Sequence, residues 1–339
     1  MKDVWGSDSI VIVIDPHTFY YSKGNLLMSK KTSDKVVRIL QTNNSTWQLQ
    51  ENMTIVLFLL PAFIFLSIFL VYPIFRSAYY SLFNWNGMGP AVNYIGLENF
   101  KRLFADQIFL KAVQNGILIV VFSLAIQLPL AMGLALIVGR NIPGRAFFRA
   151  VFFMPYVLSE VITAIMWLIL YNPNPRRGFL NAIINIIPFL EPQAWLADTR
   201  LVLPAIFVVL TWKYIGFHML LYITGLQNIP REIEEAALID GVNSRQMVTY
   251  ITIPLLAGTI KTSVYLSIIG SLQVYALVWI MTRGGPVNAS EVMSTYMYRY
   301  SFVRFELGYG SAVAIVMLLI SLTFSIIYFR LTRKAEYLA

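Results

Sequence analysis

The sequence predicts an all-α, polytopic membrane protein with six transmembrane helices. Three observations point there. Of the 339 residues, 58% are hydrophobic and only 13% charged, about half the charge of a soluble domain. Apolar runs long enough to cross a hydrocarbon core of about 30 Å recur six times. The segments between them are short and polar, and none reads as a separate soluble domain.

Residues 1–50 are polar and mixed, with one apolar run, Ile10 to Ile14, too brief to span. They lack the basic start, apolar core and small-residue cleavage site of a signal peptide. Met28 opens a basic stretch with Lys30, Lys31, Lys35 and Arg38, so residues 1–50 are expected to be a cytoplasmic tail whose first 27 residues are an upstream extension. Spans are expected near 53–75, 112–138, 147–171, 201–225, 258–281 and 309–330. Residues 51–332 then form one transmembrane domain and 333–339 a cytoplasmic tail. An even number of spans puts both termini on one side. Fourteen Lys and Arg fall on that side and ten on the other. The dense runs Arg140, Arg145, Arg149 and Arg330, Arg333, Lys334 place that side in the cytoplasm by the positive-inside rule.

The net charge of +9 is spread over many short loops, which suits orientation in a bilayer and not nucleic-acid binding. With no Cys and only His17 and His218, disulfides, thiolate chemistry and histidine metal clusters are not expected. No G-x-x-x-x-G-K-[ST] occurs, so this chain has no phosphate-cradling loop.

One polar, helix-forming stretch lies between long apolar runs: EEAALIDGVNSRQMVTYITIP, Glu234 to Pro254. Pro230 and the carboxylates Glu232, Glu234 and Glu235 suit a helix N-terminus. Ala236, Ala237 and Leu238 propagate it, and Gly241 permits a corner. Asn243 or Ser244 can cap a second helix, and Pro254 ends the segment or starts the next span. The expected product is a helix, turn, helix knob with a small-residue face.

Glu235, Ala236, Ala237, Gly241, Ile251, Ile253 and Pro254 stand at the spacing of the EAA loop of binding-protein-dependent ABC importer permeases, which this segment resembles. YIGLENF (Tyr94 to Phe100), RAFFRAVFFMPYV (Arg145 to Val157) and MTRGGPVNASE (Met281 to Glu291) are also similar to the carbohydrate-uptake members, so the likeness covers roughly residues 50–330. It implies a type I ABC importer permease-like bundle with cytoplasmic EAA coupling helices, in a bacterial or archaeal plasma membrane. Glu235, Ala236, Ala237, Asp240, Gly241 and Pro254 are then the ATPase-coupling residues. The implied partners are a sister permease in a heterodimer, two ABC ATPase subunits and an extracytoplasmic solute-binding protein. ATP and Mg would sit on the ATPases and no cofactor on this chain. Read without the resemblance, YIGLENF is a turn followed by an interfacial helix, so a helix is expected there in either case.

Glu160 and Lys213 lie inside predicted spans, where a charge costs about 2.5–3.5 kcal/mol on insertion scales and needs protein or water around it. Either they line a polar path, paired or not, or they form a buried pair that orders helix packing. The resemblance also implies that solute is met by the middles of the spans before the EAA loop and before the GGP segment, TWKYIGFHM and SIIGSLQVY. There Tyr214, Phe217, Ser267, Ser271, Gln273 and Tyr275 offer the aromatic faces and polar groups that sugars require, although aromatics in such helices also serve as packing. The rival reading is a stand-alone proton-coupled transporter using Glu160 and Lys213. Such folds usually carry paired inverted repeats, and none is evident here.

Overall fold

In the computed structural model, residues 53–139 and 143–336 are described, with side chains through residue 332. The predicted N-terminal tail, the Met28 start, Arg140 and residues 337–339 lie outside that set, as do the side chains of Arg333 and Lys334; the start of the predicted C-terminal tail, 333–336, continues the last helix. The chain divides into two compact units, Met1–Val71 and Tyr72–Ala339. Within the first, residues 53–71 form the apolar start of helix α1, which runs Met53–Tyr80.

The second unit holds the bundle. Helix α2 is Glu98–Ala105 and α3 is Gln107–Val138. Then come α4 (Arg145–Val157), α5 (Glu160–Leu170), α6 (Phe179–Ile184) and α7 (Val202–Gln227). The polar knob is α8 (Arg231–Ile239) and α9 (Ser244–Leu255). Helix α10 is Ala257–Gln273, α11 Ala276–Thr282, α12 Met293–Tyr298 and α13 Leu307–Glu336. Among the described residues four helices, α1, α3, α7 and α13, are long and apolar enough to cross outright. Six crossings result if each of two bent pairs, α4 with α5 and α9 with α10, counts as one.

Span three is not one continuous helix as expected. Pro155 takes an amide out of α4, Leu158 and Ser159 are extended, and α5 leaves at 99°. Ser159 caps α5 by accepting from the Ile162 amide at 3.2 Å. The fifth predicted span is likewise interrupted, at Val274 and Tyr275, between α10 and α11. The Ser294 hydroxyl donates to the Val274 carbonyl, so the freed acceptor is satisfied inside the protein, as non-helical backbone at membrane depth requires.

Helix α7 is the central post. Its buried face joins Val202, Ile206, Val209 and Leu210 to Trp167 and Ala164 of α5 and to Leu277 and Val278 of α11. Lower down, Met219, Tyr222 and Ile223 meet Ala131, Ala135 and Val138 of α3. Helix α4 crosses α7 so closely that a Cβ on Gly216 would sit 1.9 Å from the Phe152 carbonyl oxygen. A second cluster ties Leu103 of α2 and Phe109 of α3 to Tyr296, Tyr309 and Val313 of α12 and α13.

Polar pins fasten the end opposite the knob. Asn99, in the interfacial helix expected from YIGLENF, donates to the carbonyls of Ser81 (2.8 Å) and Phe83 (3.0 Å). Asp106 caps α3 through the amides of Ile108 and Phe109 and accepts from the Tyr296 hydroxyl at 2.6 Å. Asn115 donates to the carbonyls of Ala289 and Glu291. The tight exit expected at GGP is present: Gly284 has φ +80°, and Val287 and Asn288 also have positive φ. The fully buried Glu291 pairs with Arg299 at 2.6 Å and accepts from Thr295 at 2.7 Å.

Candidate functional site: a cavity at two helix breaks and an exposed knob

The two interruptions open onto the same space, a cavity of about 380 Å³ in the middle of the bundle. Glu160, the first residue of α5, lines it from one break; Gln273, Val274, Tyr275 and Ala276 line it from the other. Helix α7 contributes Tyr214, Phe217 and His218, and α10 contributes Ser267, Gly270 and Ser271. A π-helical turn in α3, Ser123–Gln127, ahead of Pro129, turns Ser123 and Gln127 into the wall, a use of such turns that recurs at functional sites. Seven of the eight residues singled out from the sequence therefore meet here: Glu160, Tyr214, Phe217, Ser267, Ser271, Gln273 and Tyr275.

Lys213 is the exception, and it corrects the expected pairing. Its ammonium is buried and donates to the carbonyls of Leu158 (2.5 Å) and Pro155 (3.5 Å). Those oxygens have lost their helical partners at the break, and they stand at the C-terminal, partly negative end of α4. A cation there replaces the missing donors. Among the described residues the ion pairs are Lys101–Glu98, Arg102–Glu306 and Arg299–Glu291; Glu160 and Lys213 do not form one. Glu160 instead accepts from the Tyr214 hydroxyl at 2.7 Å. A proton relay between Glu160 and Lys213 has no direct contact to run through.

Aromatic faces border the carboxylate. Tyr156 stacks on Phe217 at 4.9 Å and meets Tyr214 edge-on at 6.0 Å. Tyr275 lies 5.2 Å from Tyr298. The serines are partly committed: Ser123 and Ser267 share a hydrogen bond of 2.6 Å, and Ser123 also donates to Gln127 at 3.1 Å. His218 shares one with Ser263 at 2.8 Å. Sequence reasoning missed Tyr156, Ser123 and Gln127. The first sat in a motif read only for family likeness, and the others carried no signal beyond polarity inside an apolar run.

The knob has the predicted form. Helix α8 ends at Asp240, Gly241 turns the corner at φ +80°, and Asn243 caps α9 in a capping box with Gln246. Glu235, Ala236, Asp240 and Pro254 are exposed, whereas Ala237 is buried at 7%. The bare face of two alanines is thus narrower than expected, since Ala237 packs into its own chain. What the knob presents instead is apolar: Ile239 is 86%, Leu238 62% and Tyr250 74% exposed. Glu235 also borders a groove of about 750 Å³ lined by Arg145, Gln227, Arg231 and Met247.

A bundle of apolar helices with a polar cavity at its breaks and an exposed apolar knob at one end is the architecture of a membrane permease. The pattern of the family described as "Binding-protein-dependent transport system inner membrane component" matches residues 127–337, and the chain belongs to that family. Among its relatives, the probable ABC transporter permease protein YurN of Bacillus subtilis is 35% identical over 83% of this chain and 96% of its own length. The diacetylchitobiose uptake system permease protein NgcF of Streptomyces coelicolor is 30% identical over 78% of each. A chain of the bacterial alginate ABC transporter, solved in complex with an alginate pentasaccharide-bound periplasmic protein, has the same fold. It aligns with TM-score 0.75 at 23% identity over 85% of this chain and 96% of that one. The protein is a membrane-spanning permease subunit of an ABC importer.

Proposed function

We propose that this subunit imports a sugar or oligosaccharide, passing it through the cavity at the helix breaks. The observation that carries the proposal is the meeting of Tyr156, Phe217 and Tyr214 with Glu160, Gln273 and Ser271 in that one space. Sugars need apolar ring-stacking surfaces beside hydrogen-bonding groups, and this wall offers both. The relative whose name states diacetylchitobiose uptake supports the same substrate class.

ATP is hydrolysed by two separate ABC ATPase subunits that hold ATP and Mg. They grip α8 and α9 and rock the bundle between inward-open and outward-open states. The exposed Leu238, Ile239 and Tyr250 supply the apolar contact and Glu235 a charged one. A sister permease completes the pathway as a heterodimer, and an extracytoplasmic binding protein delivers the solute. Both termini and the knob face the cytoplasm of a bacterial or archaeal cell.

The test is Glu235→Ala in the assembled transporter, reconstituted in vesicles with its binding protein. Truncating one member of a buried charge contact costs about 2–5 kcal/mol, so ATP-driven uptake falls at least tenfold while the subunit still inserts and co-purifies with its sister. Unchanged coupling of ATP hydrolysis to uptake in that variant refutes the docking role.

A further inference from the structure

We infer that Glu160 is a specificity-determining residue that admits sugars bearing hydroxyl donors and turns away acidic ones; the inference rests on the sugar-import reading. Among the described residues that line the cavity, Glu160 is the one carboxylate, and no Lys or Arg is among them. The cation nearest in sequence to the cavity wall, Lys213, is held by the carbonyls of Leu158 and Pro155 and does not line the space. Glu160 Oε1 accepts from the Tyr214 hydroxyl at 2.7 Å, which fixes the carboxylate at the edge of the aromatic surface made by Tyr156 and Phe217. An ionised carboxylate accepts and does not donate, so its open positions suit the hydroxyls of a neutral ring stacked on that surface. The carboxylate of a uronic acid at the same place finds a like charge in a partly desolvated site, where such repulsion is poorly screened. Glu160 stands where the chain restarts after the Pro155 interruption, so the bend that opens the cavity also presents the selecting group.

The experiment is saturation-transfer NMR on the purified transporter complex without its solute-binding protein, so that the delivery protein's own selectivity does not enter. The probes are the neutral disaccharides maltose, cellobiose and diacetylchitobiose, and digalacturonate as the acidic counterpart. The wild type binds at least one neutral probe saturably and digalacturonate at least tenfold more weakly. In Glu160→Gln the gap closes to less than threefold; in Glu160→Asp, which keeps the charge, it persists, and this variant guards against a general loss of fold. Digalacturonate binding as tight as the neutral probes in the wild type overturns the inference and leaves sugar import standing. An unchanged gap in Glu160→Gln does the same. Binding of none of the four by a complex that retains its ATPase activity counts against sugar import itself, and the role of Glu160 falls with it.

Discussion

The knob and the cavity are built in opposite ways. In the knob, the fold is written in neighbours: Asn243 and Gln246 cap one another's backbone three residues apart, and Gly241 turns a corner between two short helices. In the cavity, the contacts that satisfy the freed carbonyls and join the walls reach far along the chain. Lys213 closes a break more than fifty residues upstream, Ser294 closes one twenty residues before it, and Ser123 meets Ser267 from another helix. Local construction leaves the knob's apolar residues exposed. Long-range construction lets the membrane section carry chain breaks without stranding polar backbone in an apolar medium.

The severest way to break that contrast is Lys213→Met. It strips the donors from the Leu158 and Pro155 carbonyls, each worth about 1–3 kcal/mol when left unpaired, against some relief from no longer burying an ammonium. A net loss of about 2 kcal/mol is expected, measured as a lower unfolding midpoint in detergent, with uptake down at least tenfold. An unaltered midpoint would mean that the α4–α5 break does not depend on this side chain.

Gly241→Val probes the knob by the same logic with a smaller global effect. A β-branched residue at φ +80° costs roughly 1–2 kcal/mol locally. The bundle's unfolding midpoint should hold, because few long-range contacts run through the corner, while ATP-coupled uptake drops several-fold as α8 and α9 change their angle. A shift of the midpoint as large as that of Lys213→Met would erase the distinction between the regions.

Asp106→Asn is the mildest change and sharpens the comparison at the pinned end. Burial alone raises the Asp106 carboxyl, but hydrogen bonds from Tyr296 and the amides of Ile108 and Phe109 outweigh it and hold the group below its usual range. A carboxylate lowered on folding stabilises above its unfolded pKa, and that contribution disappears as pH falls through the lowered folded value. The wild type therefore loses stability on acidification below about pH 4, the ordinary carboxylate range, and Asp106→Asn flattens that limb at a cost of roughly 0.5 kcal/mol near neutrality. Identical pH profiles for the two proteins would remove Asp106 from the pins.

Sequence alone carried the helical class, the six apolar runs and the knob, because periodicity, caps and glycine corners are short-range signals. It also chose seven cavity residues that the fold brings together. The breaks escaped it. Pro155 was a visible warning four residues before Ser159, yet apolar composition on both sides argued for one span. The break at Val274 and Tyr275 has no proline or glycine at the turn and is defined by a hydroxyl from Ser294. Lys213 and Glu160 looked like a charge pair because both are ionisable and share the span region; helix-end carbonyls, which leave no trace in residue identity, turned out to be the lysine's partners. Glu291 and Arg299 stand eight residues apart on either side of α12, and nothing in their spacing announced an ion pair.

The pins at Asn99, Asp106, Asn115 and Glu291 have a mechanical consequence. Asp106 and Asn115 bolt the first half of the sequence to the second at one end and Asn99 and Glu291 fasten the loops beside them, while the knob end relies on short-range caps. Between that pinned rim and the knob lie Pro155 to Ser159 and Val274 to Tyr275, which lack helical continuity, so under the proposed drive from the knob the strain collects at this waist. The waist and the cavity are one and the same place.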